Sequence, residues 1–299
     1  MVRIFSDTST MYSSAQAQAA GFSVSPLSVT IAGNSYREYD EISSDDFVAL
    51  INQGHMPTSS QPAVGEVLAL YEKHAQDELL NISMADGLSG TYSSAVAAAE
   101  MCDANQKITV INSRTLCGPH RYLVEKAVEL ADQEKPLAEI VAHIEALMDT
   151  SKSFLIPADF GYLRRGGRLS PLVSYVGQAA KLAPVLTQTE DGRQLTIAAV
   201  RRGFAQAIQH VGKTLLNAGI GENWRIYISH ASAPQLAAQA HEILLKLFPT
   251  ALAQIQSGGI ARAGVSAAAA LIMLIPPVIM FLITQSSIME TMAHAGIKE

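Results

Sequence analysis

Short apolar runs alternate with helical patterns through the first half of the chain, and this alternation limits the possible folds more than any other feature of the sequence. Residues 2–5, 79–84 and 108–111 are compact apolar segments. Each is followed by a polar or glycine-containing turn and then by apolar residues at helical spacing. Strand, helix and strand in succession build a mainly parallel sheet covered on both faces, and ligands of such sheets gather at the carboxyl ends of the strands. Asp7, Ser89 and Ser113 all follow strands of this kind. With 299 residues, 48% of them hydrophobic, the chain has material for one large or two ordinary domains.

The spacing predicts further helices over 13–20, 64–74, 93–101, 121–130 and 137–148, and a hairpin of 22–31 with 36–39 around Gly33-Asn34. Ser43 or Ser44 before Asp45-Asp46 marks another helix start. The polar stretch Asp149-Thr150-Ser151-Lys152 closes a first α/β domain, 1–150. A second α/β domain, 151–256, follows. It carries a strand at 154–156, a helix at 171–180, two strands (182–186 and 194–200) around the turn pair Asp191-Gly192, a helix at 204–216, a strand at 225–229 and a helix at 235–248.

Two turns and one basic segment carry the chemistry. In Gly87-Leu88-Ser89-Gly90-Thr91-Tyr92, hydroxyl residues sit between glycines at a helix start, where N–H groups favour a carboxylate or phosphate. An ordinary capped turn accounts for the same six residues. Thr58, Ser59 and Ser60 stand between Pro57 and Pro62, as a ligand loop or a capped linker. Arg168 ends Tyr162-Leu163-Arg164-Arg165-Gly166-Gly167-Arg168 and can offer its planar fork to an anion or serve a partner surface.

Several classes are excluded. A net charge of −6 gives no basic field for nucleic acid. Cys102 and Cys117 lack metal-ligand or disulfide-framework spacing, so no metal is expected and a reducing cytoplasm fits. The first residues reach Asp7 too soon for a signal peptide's apolar core. Thr91 stands where a nucleophile elbow requires glycine, so a hydrolase using Ser89 ranks last, and no phosphate-loop or dinucleotide fingerprint occurs. Among the histidines only His230 follows a clear strand, and it reads as structural. No catalytic residue and no cofactor are expected.

Taken in order, Asp7-Thr8-Ser9, Ser59-Ser60-Gln61-Pro62, Leu88-Ser89-Gly90-Thr91-Tyr92, Tyr162 to Arg168, and His230-Ala231 resemble the DegV family over about residues 2–256. Its members are bacterial proteins that bind a fatty acid and serve as the lipid-carrying subunit of fatty acid kinase. The resemblance implies a two-domain α/β carrier, not an enzyme, that is cytoplasmic and holds the acyl chain in an apolar tunnel. It implies a long-chain fatty acid as ligand and a fatty acid kinase catalytic subunit as partner. By position the carboxylate falls to Ser59 and Ser89, with Ser60 and Thr91 adjacent and Arg168 at the domain junction or partner face. Two departures stand out: Ser59 replaces the family's common threonine, and nothing after Gln256 matches the family's last strand and its His-x-Gly-Pro-Gly segment.

The final segment points elsewhere. Residues 263–289 carry no charge, and 267–283 are almost wholly apolar, long enough for a bilayer-spanning helix and too uniform for a surface one. Met273-Leu274-Ile275-Pro276-Pro277 and residues 288–299 resemble the closing helix and tail of sugar-type ABC transporter permeases. The expectation is a DegV-like body lacking its last strand, joined to an apolar tail (257–299) with membrane contact through 263–289. A membrane-transport component is the second functional reading.

Overall fold

The computed structural model describes residues 1–103, 105–157, 182–220, 224–230, 232–249 and, as backbone, 267–273. The first half runs β1 (Val2–Asp7), α1 (Ser14–Ala19), β2 (Phe22–Ser25), β3 (Ser28–Ile31), β4 (Asn34–Arg37), α2 (Ser44–Asn52), β5 (Thr58–Ser60), α3 (Val64–Glu72), β6 (Glu78–Ser83), α4 (Thr91–Met101), β7 (Ile108–Asn112), α5 (Cys117–Asp132) and α6 (Leu137–Met148). Four of these strands form a wholly parallel sheet in the order β2-β1-β6-β7. The predicted alternation is thus met.

Neighbouring residues on β1 and β6 face opposite sides, and both sides are covered. Ile4 and Leu80 pack with Leu123, Val124, Ile140 and Ile144 of α5 and α6, whereas Phe5 and Leu79 pack with Val67, Tyr71 and Ala98 of α3 and α4. Burial on two faces explains why these strands read as unbroken apolar runs. Tyr71 meets Phe5 edge-on at 5.4 Å, and its hydroxyl accepts Asn81 Nδ2–H at 2.7 Å. Tyr71→Phe keeps the ring packing and strands that amide. It is expected to lower stability by about 1–3 kcal/mol, read as a lower urea midpoint.

The predicted strand over 22–31 is two strands in two sheets. Pro26, which has no N–H to donate, separates β2 in the parallel sheet from β3, which joins an antiparallel sheet of order β4-β3-β5. The β3–β4 hairpin forms as expected but turns one residue earlier, at Ala32-Gly33, with Asn34 paired to Ile31. Ser43 caps α2 by accepting Asp46 N–H at 3.1 Å, with Asp45 and Asp46 in the first turn.

The second half comprises β8 (Lys152–Ile156), β9 (Leu182–Gln188), β10 (Leu195–Arg202), α7 (Phe204–Asn217), β11 (Trp224–Ser229), α8 (Pro234–Leu247) and β12 (Ala267–Met273). Its five-stranded sheet has the order β10-β9-β8-β12-β11, antiparallel across β10, β9 and β8 and parallel from β8 through β12 to β11. Phe154, Ile156, Val185 and Ile226 pack with Ile208 and Val211 of α7 and Leu244 of α8. α5 lies between the two halves, against β1 on one side and β11 and β12 on the other.

β12 corrects the reading of the final segment. Residues 267–273 are neither the start of an apolar helix nor foreign to the body. They pair with β11 from Trp224↔Ala267 to Ser229↔Ile272 and with β8 from Ala269↔Lys152 to Met273↔Ile156. A central strand of a parallel array has no solvent face, so its sequence shows no polar alternation and mimics part of a membrane helix. The second half therefore has the strand it was expected to lack. No helix among the described residues is long and apolar enough to cross a membrane. Residues 274–299, with the rest of the permease-like tail and of the 263–289 membrane segment, lie outside the described residues, as do the Tyr162 to Arg168 segment and the helix expected at 171–180.

Candidate functional site

The carboxyl ends of β1, β6 and β7 carry a buried polar network. Asp7, at the end of β1, accepts Ser9 N–H through Oδ1 and Met84 N–H through Oδ2, each at 2.9 Å, and so fixes the loop leaving β6. Ser6 Oγ donates to the Ile82 carbonyl at 2.7 Å. Its lone pair therefore receives Nε2–H of His120 at 2.9 Å, leaving Nδ1 to accept from Ser113 Oγ at 2.9 Å. Burial lowers the His120 pKa against the pull of Asp7, whose Oδ2 is 3.7 Å from Nε2. A neutral ring fits both facts. Sequence reasoning singled out His230 instead, which is exposed and accepts Ala233 N–H in a local turn at 3.3 Å.

That loop leads into the predicted anion turn. Ser89 is buried, and its Oγ accepts Thr91 N–H at 3.2 Å and shares a 2.8 Å hydrogen bond with Thr91 Oγ1. Thr91, also buried, opens α4, whose N-cap Gly90 has no side chain to contribute. Ser89 and Thr91 thus stand together at a helix N-terminus. Ser89 bonds to Thr91 and not to a histidine, while both ring nitrogens of His120 are occupied by other serines. Among the described residues, no histidine bonds to Ser89.

Ser59 comes from β5. Cross-strand pairing sets Ser59 beside Val29 and Tyr36 on one face of the small sheet, and Ser60 beside Ser28 and Arg37 on the other. Ser59 is buried and Ser60 exposed. The next residue, Gln61, lies over Gly90 so closely that a Cβ there would fall 1.6 Å from Gln61 Oε1. The two predicted loops therefore meet at Gly90. The structure joins Ser89 to Thr91, lays Gln61, two residues beyond Ser59, over the Gly90 between them, and turns Ser60 away. Arg168 lies outside the described residues.

Beyond the hydroxyls is an apolar cluster drawn from both halves. Leu27, Met84, Ala85, Leu88, Leu116 and Cys117 pack with Leu155, Leu186 and Leu195 of the second half. The turn of the β9–β10 hairpin closes over it: Arg193 Nη1 is 2.9 Å from Asp86 Oδ2, and Gln188 Nε2 donates to the Arg114 carbonyl at 3.0 Å. Gly87 admits this contact, since a Cβ there would lie 2.3 Å from Arg193 Cα and 2.5 Å from its carbonyl oxygen.

Glu38 borders the same region. Thr8 Oγ1 accepts Leu27 N–H at 3.1 Å and so donates its own proton to Glu38 Oε2 at 2.6 Å. Oε1 is buried with no hydrogen-bond partner among the described residues. Burial pushes the Glu38 carboxyl up to about 8, with the Thr8 hydrogen bond opposing the rise and Asp7 adding to it. Nothing in the polar run Tyr36-Arg37-Glu38-Tyr39-Asp40-Glu41 distinguishes this acid from a solvated one. A separate cavity of about 450 Å³, lined by Arg3, Phe22, Ser23, Leu70, Lys73 and His74, contains none of the predicted site residues. Among the described residues no group of three or more metal-ligating side chains occurs.

Comparison with known proteins places this geometry in context. The family model described as an uncharacterised protein of the DegV family matches residues 1–274. A DegV domain-containing protein of Staphylococcus aureus (strain N315) is 31% identical over 248 residues, covering 82% of this chain and 88% of that protein. The crystal structure of DegV, a fatty acid binding protein from Bacillus subtilis, superposes with a TM-score of 0.73 at 24% identity, covering 91% of this chain and 92% of that one. A DegV family protein from Eubacterium eligens loaded with heptadecanoic acid gives 0.73 at 17% identity, with the same coverage. The family match runs through β12 to Leu274, past the expected limit near Gln256, so that strand belongs to the same domain family as the rest.

Proposed function

We propose that this chain, which belongs to the DegV family, binds a long-chain fatty acid and presents its carboxylate to a separate fatty acid kinase subunit. The observation that carries this reading is the meeting of the Ser59–Gln61 segment with the Ser89–Thr91 turn, Gln61 lying over Gly90, beside an apolar cluster contributed by both halves. An anion is favoured at the N-terminus of α4 by the positive end of the helix dipole, and the hydroxyls supply directed donors. The hydrocarbon chain takes the apolar cluster at about 0.8 kcal/mol per buried methylene, so the chain supplies most of the affinity and the hydroxyls mainly fix the orientation.

A carboxylate held by neutral hydroxyls keeps its electron density, which suits attack on a phosphoryl donor bound by another protein. Arg168 is assigned to the domain junction or that partner's face by the family resemblance alone.

Native mass spectrometry of the full chain tests the proposal. A fatty acid is expected to co-purify with the wild type. In the Ser59→Ala/Ser89→Ala double variant two hydrogen bonds to a charged group are lost, and affinity is expected to fall by at least about 100-fold. A folded wild type that stays empty when offered saturated and unsaturated long-chain acids would overturn it.

A further inference from the structure

The small antiparallel sheet turns one face inward, and Glu38 lies on it. Glu38 N–H donates to the Leu27 carbonyl at 2.8 Å, which continues the β3–β4 pairing by one row beyond Ser28↔Arg37. By the pleat, Leu27 and Glu38 share the face of Val29 and Ser59, and all four are buried. Leu27 belongs to the apolar cluster assigned to the acyl chain, as does Cys117, whose thiol is raised by burial and further by the Glu38 charge. The Glu38 carboxyl thus borders the proposed hydrocarbon path. It is 5% exposed, with Oε2 bound to Thr8 and Oε1 bound to nothing among the described residues. On the same turn as Thr8, Ser9 Oγ is a second buried polar atom without a partner.

A pocket for a plain hydrocarbon gains nothing from such atoms, because a buried polar group left unpaired is a penalty. We infer that Glu38 is a specificity-determining residue, and that its free carboxyl oxygen receives a hydroxyl borne on the acyl chain, making hydroxylated long-chain fatty acids the preferred ligand class. This rests on the fatty-acid reading above and refines it. A hydroxyl suits the site whichever protonation state Glu38 adopts: it accepts from the protonated acid and donates to the carboxylate. A carbonyl or a double bond lacks that double capacity. Sites built to bond a ligand hydroxyl discriminate against the analogue without it far more strongly than apolar pockets discriminate by size.

The test offers the full chain an equimolar mixture of octadecanoic acid and its positional monohydroxy isomers, and weighs the bound fraction by native mass spectrometry. Wild type is expected to enrich at least one hydroxy isomer by about ten-fold or more over octadecanoic acid. Glu38→Leu is expected to erase that enrichment while still retaining octadecanoic acid. Glu38→Gln, whose amide can both donate and accept, is expected to keep part of it. Wild type that retains octadecanoic acid with no enrichment of any isomer overturns the role of Glu38 and leaves fatty-acid binding intact. Enrichment that persists in Glu38→Leu also overturns it. Wild type that retains neither ligand overturns both readings, and the wild-type arm decides even where a variant fails to fold.

Discussion

Raising the pH from 4.5 to 8 is expected to remove about 4 kcal/mol of stability through Glu38 alone, and Glu38→Gln is expected to abolish that limb of the curve. The Glu38 carboxyl is pushed up from 4.5 to about 8, first by burial, with Asp7 adding and the Thr8 hydrogen bond opposing. A folded-state value above the unfolded one gives stability that is whole below the unfolded value and lost as pH climbs through the folded value. Each pH unit in that window is worth about 1.4 kcal/mol. His120 acts in the other direction: burial lowers its value, so its contribution is whole above about 6.5 and lost on acidification. Urea midpoints across this range should therefore show two limbs in the wild type. In Glu38→Gln only the acid limb should remain. An alkaline limb of undiminished depth in that variant would show that Glu38 does not titrate as its burial dictates.

Gly87→Ala is expected to part the β9–β10 hairpin from the β6–α4 loop and to cost about 3 kcal/mol, the upper end for overpacking. The added methyl would lie 2.3 to 2.5 Å from Arg193 Cα, Cβ and carbonyl oxygen, and backbone atoms cannot rotate away. Movement of the hairpin would lengthen the Asp86–Arg193 contact and uncover Leu195 and its neighbours. Fatty acid retention should fall together with the urea midpoint. Shortening Arg193 to Ala in the Gly87→Ala background should bring no rescue, because the obstructing atoms stay. Gly90 makes the contrast: its close neighbour is the end of the flexible Gln61 side chain, which can turn aside. Equal stability of wild type and Gly87→Ala would mean that the hairpin does not press on this loop.

The sequence was legible where periodicity and turn chemistry agree. The parallel sheet followed from apolar runs at 2–5, 79–84 and 108–111, each succeeded by a helix, and the β9–β10 hairpin from Asp191-Gly192. Ser59 and Ser89 could be singled out because hydroxyls clustered beside prolines or glycines. That Ser60 faces away depends on which face of β5 is buried, and three residues of strand are too few to reveal it. Glu38 and His120 were hidden because their burial comes from distant segments: Thr8 and Leu27 enclose one, Ser6 and Ser113 the other. β12 was misread for a related reason. A strand flanked on both sides by other strands has the composition of any segment that never meets water.

The place of β12 also bears on how the molecule is made. Among the described strands, the one that fills the middle of the second sheet is the last to leave the ribosome, more than a hundred residues after the β8 strand it pairs with. The parallel sheet of the first half and the helices that cover it are complete by Met148 and can form during synthesis, in keeping with N-terminal parts folding first. The second sheet must wait, with β8 and β11 each holding an unpaired inner edge until Ala267 to Met273 arrive. Such edges invite pairing with other chains, so the nascent protein passes through an aggregation-prone interval that ends only when β12 is inserted.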